Sequence, residues 1–309
     1  MAEAGFEEGR YLYCAVGLSN ATEAVEAFSA TGVDGEPVAL VRSGDLGAVV
    51  HACDALYDSA DEAVVRRWLL DHQRVVDAAG ETFGTPLPVR FDTVLRGDDA
   101  RVRAWLDEHA TTLSTVLDSL ADCWEYRIEV LGDEDALEAA LADDDRLAEL
   151  RDRLEDASSG TAHLLEKQYE RRLTELKHDR RAERARDLQD RLAPLAEDVR
   201  DLGTERTAAI ETPDRDAEGA VEARLAVLAR AEREADLGDA LDAVAAEPGV
   251  EVRFTGPWPP YTFAPSIGDE ATGERGDGRA SDERADEERT DGETGRNRDR
   301  GADREGSGS

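Results

Sequence analysis

Residues 250–265 read VEVRFTGPWPPYTFAP, an alternating strand that runs into Gly256-Pro257-Trp258-Pro259-Pro260-Tyr261. Three prolines beside Trp258, Tyr261 and Phe263 are unexpected in a chain whose aromatic content is 5%. The cluster can be read as a proline-rich ligand, as the lip of a binding site, or as the packed end of a domain. A free ligand needs a flexible, exposed segment, whereas this motif directly follows a strand. Gly256 permits a bend or close backbone approach, and the prolines are expected to stop the strand and stiffen its exit. Trp258, Tyr261 and Phe263 can then fold back as apolar plugs. Structural closure is the stronger reading, and direct partner contact through Trp258 and Tyr261 the weaker.

Working outward, the strand closes a repeated order of elements. RYLYCAVG (10–17) alternates around Leu12, Cys14 and Val16. Ser19-Asn20 can cap a helix over 21–30, with Val25 and Phe28 inward. PVALVRS (37–43) and LGAVVHA (46–52) form a hairpin around Gly44-Asp45. Asp61 opens a helix to Phe83 whose inner stripe includes Trp68, His72, Val75, Val76 and Ala79, and TPLPVRFDTVL (85–95) reads as one strand. This β-α-β-β-α-β order is the split pattern of a ferredoxin-like domain.

Asp98 caps a connecting helix to Leu120, with Val102, Trp105, Leu106, His109, Leu113, Val116 and Leu117 inward. CWEYRIEVL (123–131) is a strand that sets Trp124, Tyr126, Ile128 and Val130 against Cys123, Glu125, Arg127, Glu129 and Leu131. A long helix follows to Leu192. Strands are expected at 204–211 and 221–229, a helix at 232–246, and the closing strand at VEVRFT. The expectation is an α+β chain with two ferredoxin-like βαββαβ domains in series, 1–96 and 123–266. Residues 97–122 connect them, and the second domain has an enlarged helical segment. From 267 to 309 the chain is Asp, Glu, Arg, Gly and Ser with almost no large apolar side chain, the composition of a disordered acidic tail.

With 72 acidic and 37 basic residues the net charge is −35, and only Lys167 and Lys177 are lysines. Such self-repulsion is tolerable where salt screens charge within roughly 3 Å at 1 M, so the composition fits a cytoplasm of very high salt. Non-specific nucleic-acid binding lacks the basic face it requires. The N-terminus MAEAGFEEGR has no signal-peptide pattern, and no run approaches the ~20 apolar residues of a membrane span. Cys14, Cys53 and Cys123 are odd in number and without a CxxC, and read as reduced, buried residues.

No nucleophile elbow, Walker sequence, HExxH or EF-hand loop is present. His72 and His109 lie on apolar helix stripes, where a hydrogen-bonded structural histidine is the simpler reading than a catalytic base. His51, His163 and His178 show no partner at ligand spacing, and Asp143-Asp144-Asp145 reads as a solvated turn rather than a cation site. No cofactor or metal is expected. Arg171, Arg172, Lys177, Arg180, Arg181, Arg184 and Arg186 form the one locally basic region. These residues can dock an acidic partner, or be balanced along the helix by acids at spacings of three and four. Leu188, Leu192, Leu195, Val199 and Leu202 make a short coiled-coil-like seam interrupted by Pro194, open to core packing or to docking. The competing class is an enzyme with a polar cleft near His72 and Arg90.

VRFTGPWPPYTF resembles the C-terminal signature of gas vesicle accessory proteins of the GvpF/GvpL family. YLYCAVG, HQRVVDAAGETFGTPLPVRFDTVL (72–95) and SGTAHLLEKQ (159–168) are similar to the family's first strand, its central helix-to-strand segment and the start of its second-domain helix. The motif positions are Pro88, Arg90, Phe91, Gly256, Pro257, Trp258, Pro259, Pro260 and Tyr261. Asp92 stands where the family usually has Gly. The greater length brings the chain nearer to L-type members from halophilic archaea. The resemblance implies a cytoplasmic, non-enzymatic protein needed early in gas vesicle formation. It further implies contacts with other accessory proteins and with the small hydrophobic shell protein.

Overall fold

The computed structural model describes residues 6–19, 28–133, 137–138, 141, 143–203 and 220–265. Of the helix expected over 21–30, residues 21–27 lie outside these residues and 28–30 are not helical; the expected strand at 204–211 and the tail from 267 also lie outside them.

The N-terminal sheet contains β1 (Gly9–Gly17), β2 (Ala39–Ser43), β3 (Leu46–Cys53), β4 (Leu87–Pro88) and β5 (Val94–Arg96). Its order is β2-β3-β1-β4, with β5 also on β1, and every pairing is antiparallel. The central β1 is buried on both faces from Tyr11 to Val16. Its alternation is not continuous, because the register with β3 shifts between Leu12 and Cys14. Tyr13 and Cys14 therefore enter the same core cluster, while Leu12 and Ala15 enter the opposite one. The segment expected as a single strand at 85–95 is two short strands around a turn at Asp92, whose φ is 64°. An αL position explains why glycine is usual there, and Asp is among the few residues that tolerate it.

Helix α1 (Glu62–Phe83) covers one face of this sheet. Asp61 caps it by accepting from the Ala63 N–H at 2.9 Å, and Gly84 with φ 85° ends it. The opposite face is covered by the segment expected to be one connecting helix. It is two helices, α2 (Asp99–Glu108) and α3 (Ala110–Leu120), broken at His109. Val102, Trp105, Leu106, Leu113, Leu117 and Leu120 bury there together with Cys123, Ala226, Leu228 and Phe263 from the C-terminal half. The connector is thus the centre of a shared core rather than a linker.

The C-terminal sheet repeats the same order, β7-β8-β6-β9, from β6 (Cys123–Gly132), β7 (Asp198–Asp201), β8 (Ala220–Arg230) and β9 (Val250–Trp258). Tyr126, Ile128, Val130, Leu225 and Val227 pack beneath helices α5 (Ser159–Leu192) and α6 (Glu234–Ala245). Helix α4 (Asp145–Glu155) packs along α5. The leucine seam is core and not a coiled coil. Leu188 and Leu192 are buried on α5, a 3₁₀ turn at Ala193–Leu195 ends the helix at Pro194, and Val199 belongs to β7.

Strand β9 does not stop at Gly256. Thr255 pairs with Arg127 and Trp258 with Glu125, so Gly256 and Pro257 bulge opposite Tyr126. Gly256 has φ 138°, and a Cβ there would stand 2.9 Å from the Glu125 carbonyl oxygen and 2.9 Å from Tyr126 Cδ1. Gly256→Ala is expected to cost about 3 kcal/mol through backbone strain and overpacking. Equilibrium unfolding measures this, with Gly84→Ala, at φ 85° and with nothing within 4 Å of an added Cβ, as the comparison.

Candidate functional site

The residues after β9 form a turn in which Tyr261 N–H donates to the Pro259 carbonyl at 2.8 Å and Ala264 N–H to that of Pro260 at 2.9 Å. The turn is clamped from three elements. On β6, Glu125 is 0% exposed. Its carboxylate accepts from the Thr262 N–H at 2.7 Å, the Thr262 hydroxyl at 2.8 Å and Arg127 Nε at 2.9 Å. On β7, Arg200 donates to the Thr262 carbonyl at 2.6 Å and lies over the Phe263 ring at 4.6 Å. On α1, His72 lies 6.4 Å from the Tyr261 ring centre to centre. Phe263 enters the shared core, and Pro259 and Pro260 are buried. One strand before, Trp124 seats on Gly80 of α1, where an added Cβ would stand 2.9 Å from the indole. Trp258 is half-buried, with its Nε1 3.4 Å from the Thr255 hydroxyl.

Beneath α1 lies a network of tyrosines and histidines. Tyr11 Oη is 2.8 Å from His72 Nδ1, Tyr13 Oη is 2.7 Å from His51 Nδ1, and His51 Nε2 is 2.9 Å from Tyr57 Oη. Tyr11 Oη already accepts the Asp92 N–H, and Tyr13 Oη the Val33 N–H. Each phenol proton is then left for the histidine Nδ1, which places the His51 proton on Nε2 facing the Tyr57 hydroxyl and the His72 proton on an Nε2 that is buried without a hydrogen-bond partner. Burial pushes His51 down to about 4 and His72 to about 3, the latter opposed by the Val89 backbone. Burial raises the Tyr11, Tyr13 and Tyr57 hydroxyls, and Phe91 closes the cluster with its ring 6.0 Å from those of Tyr11 and His72. Asp92 Oδ1 accepts the Tyr57 N–H at 2.9 Å, so the carboxylate adds a bond that glycine cannot supply.

These placements answer the enzyme reading. His72 is 3% exposed in a packed core, while Arg90 is on the surface, so the two do not line a common cleft. His109 ends α2 with its Nδ1 2.9 Å from the Trp105 carbonyl. Asp144 caps α4 and pairs with Arg172 at 2.8 Å. Among the described residues no group of three or more His, Cys, Asp or Glu side chains could hold a metal ion.

The arginine-rich helix divides in two. Near its C-terminal end Arg184 is buried, bidentate to Glu247 at 2.8 and 2.7 Å and 3.2 Å from Glu222, which holds the Glu247 carboxyl below its usual range. From 166 to 183 no residue is buried. There Arg171 pairs with Glu175, Arg180 with Glu183 and Lys177 with Glu138, while Arg181 Nε is buried without a hydrogen bond.

Tyr11, Tyr13, His51, Tyr57 and Glu125 were not singled out by motif. Their signal is positional: two tyrosines two apart in β1, a histidine two after Val49 in β3, and a glutamate two before Arg127 on the charged face of β6. Both histidines have folded pKa values below the ordinary ~6.5. Their contribution to stability is therefore fully present above about pH 6.5 and is lost as the pH falls toward 4, because only the unfolded chain takes up the protons. Histidine-selective NMR is expected to show His51 and His72 as neutral Nε2–H tautomers at about pH 5.5, where an unperturbed imidazole is mostly charged. Titration of either near pH 6.5 contradicts the assignment.

A family model described as gas vesicle synthesis protein GvpL/GvpF matches residues 9–265. Gas vesicle protein L1 of Halobacterium salinarum is 48% identical over 265 residues, 84% of this chain and 92% of that protein. Gas vesicle protein L of Haloferax mediterranei is 41% identical over 288 residues, 84% and 89% of the two chains. A Streptomyces gas vesicle protein L is 32% identical over 252 residues, 76% and 86% of the two chains. Among solved structures, GvpF from Anabaena superposes with a TM-score of 0.64 at 22% identity, covering 84% of this chain and 99% of that one. GvpF from Microcystis aeruginosa gives 0.58 at 21% identity, covering 83% and 99%. These two establish likeness of fold. The chain belongs to the GvpL/GvpF family of gas vesicle synthesis proteins.

Proposed function

We propose that this protein is a non-enzymatic accessory factor that gathers other gas vesicle proteins, including the small hydrophobic shell protein, early in vesicle formation. The observation that carries the reading is the extent of the family match, which runs from β1 through the latch at 265. The contact surface is the solvated stretch of α5. A helix of 34 residues is about 50 Å long at ~1.5 Å per residue. Its base is held by Ala185, Leu188, Leu192 and the Arg184 ion pairs, and its middle carries Arg171, Arg172, Arg180 and Arg181. Ion pairs between exposed groups contribute ~0–1 kcal/mol, so Arg171 and Arg180 can exchange their carboxylates for those of a partner at little cost. Arg184 and Tyr261 have structural roles in this account, and Trp258 keeps the half-exposed ring that a second contact needs.

The work is done in the cytoplasm, beside the growing vesicle. In high salt, steering by charge is weak, and contacts rest on apolar and hydrogen-bonded surface. The test is deletion of the gene in a vesicle-forming halophile. Cells without it are expected to lack gas vesicles by phase-contrast microscopy, and the wild-type gene to restore them. Arg171→Glu/Arg180→Glu is expected to yield folded protein with few vesicles. Normal vesicles in the deleted strain overturn the assembly role. Full rescue by the double variant overturns the assignment to α5.

A further inference from the structure

Helix α1 has a second face that neither the core nor the latch uses. Ala63, Arg66, Arg67, Leu70 and Arg74 lie at spacings of three and four, so they form one outward stripe over about three turns. They line a shallow depression of about 450 Å³, with Glu62 at its N-terminal end. Leu70 is 51% exposed, one of two large apolar side chains left so open among the described residues. In a chain with 72 acidic residues, Arg66 has no acidic partner within the described residues. Arg67 reaches Asp34 only at 3.4 Å, both side chains being more than half exposed, and Arg74 pairs with Asp71 at 2.9 Å. The helix beneath is fixed, since His72, Val75, Val76 and Ala79 are buried in the core and Trp124 covers Gly80.

We propose that this face docks an acidic amphipathic helix of a partner protein. Most of a surface with net charge −35 repels an acidic partner, and this stripe reverses the sign at contact range. Screening within roughly 3 Å at 1 M salt removes long-range attraction and leaves direct arginine–carboxylate pairs. The guanidinium fork suits such pairs, being planar, weakly hydrated and bidentate. Leu70 supplies the apolar anchor between the cations, matching a leucine-sized residue flanked by carboxylates at spacings of three and four. The inference is separate from the role of α5, and its test does not depend on vesicle formation.

The probe is a fluorescein-labelled amphipathic peptide of about 18 residues, long enough for five turns, with a leucine stripe flanked by glutamates. A twin carries lysines in place of the glutamates. Anisotropy is read with the full-length protein in about 2 M KCl, where screening is short-ranged. The glutamate peptide is expected to bind at least about tenfold more tightly than its twin. Arg66→Glu/Arg67→Glu is expected to abolish that preference, and Leu70→Gln to weaken binding about tenfold, the effect of an unburied leucine. Arg66→Gln/Arg67→Gln gives the same readout should charge reversal disturb folding. Equal binding of the two peptides, or unchanged binding by the arginine variants, overturns the proposal. So does a wild-type dimer in sedimentation that Arg66→Glu/Arg67→Glu dissociates, since the occupant is then a second copy of the chain.

Discussion

A single carboxylate with no access to solvent organises the molecule. Burying the charge of Glu125 costs several kcal/mol unless it is fully hydrogen-bonded, and two of its three donors belong to Thr262. The chain after β9 must therefore return across β6. Once it does, Phe263 falls into the core shared by the N-terminal sheet and the paired helices α2 and α3, and Tyr261 meets His72 on α1. The Gly256-Pro257 bulge makes the return sterically possible, because only a residue without Cβ fits against the Glu125 carbonyl. The signature of the family is in this way a joint between the two sheets.

The same logic separates the two halves of α5. Arg184 lies between Glu222 and Glu247, and removing Arg184 leaves the buried Glu222 without its partner, a loss of about 3–5 kcal/mol. Arg171 and Arg180, in the stretch between 166 and 183, are exposed and their pairs add little. One stretch of similar composition thus holds a structural anchor at one end and a surface for other proteins along the rest.

Much of the architecture is legible in the sequence because both halves alternate strongly where strands are buried. β8 is an example: its alternation of Val221, Ala223, Leu225, Val227 and Ala229 outweighs the helical preference of alanine and arginine, and the sheet pairs it on both sides. β7 was hidden for the opposite reason. DVRD is a short edge strand with one apolar residue, and Leu188 to Leu202 mimic a helical seam across it. The break at His109 and the bulge in β1 were also hidden, since neither is marked by Gly or Pro. At the site, the plug role of Phe263 and Tyr261 follows from composition and position. The partner of the plug does not, because Glu125 and Thr262 lie far apart in sequence and only strand pairing brings them together. Asp92 shows the limit from the other side: its departure from the family's glycine casts doubt on a tight turn, yet the turn keeps its αL backbone and gains a hydrogen bond to Tyr57.

The claim that the latch joins the two sheets is tested most directly by hydrogen–deuterium exchange of the wild-type protein and Glu125→Ala in high salt. If the latch is the joint, the variant loses protection in β6 and β9 and also in β1 and α1, where the Tyr261 and Phe263 contacts are made. Loss confined to residues 250–265, with β1 and α1 exchanging as in the wild type, contradicts it.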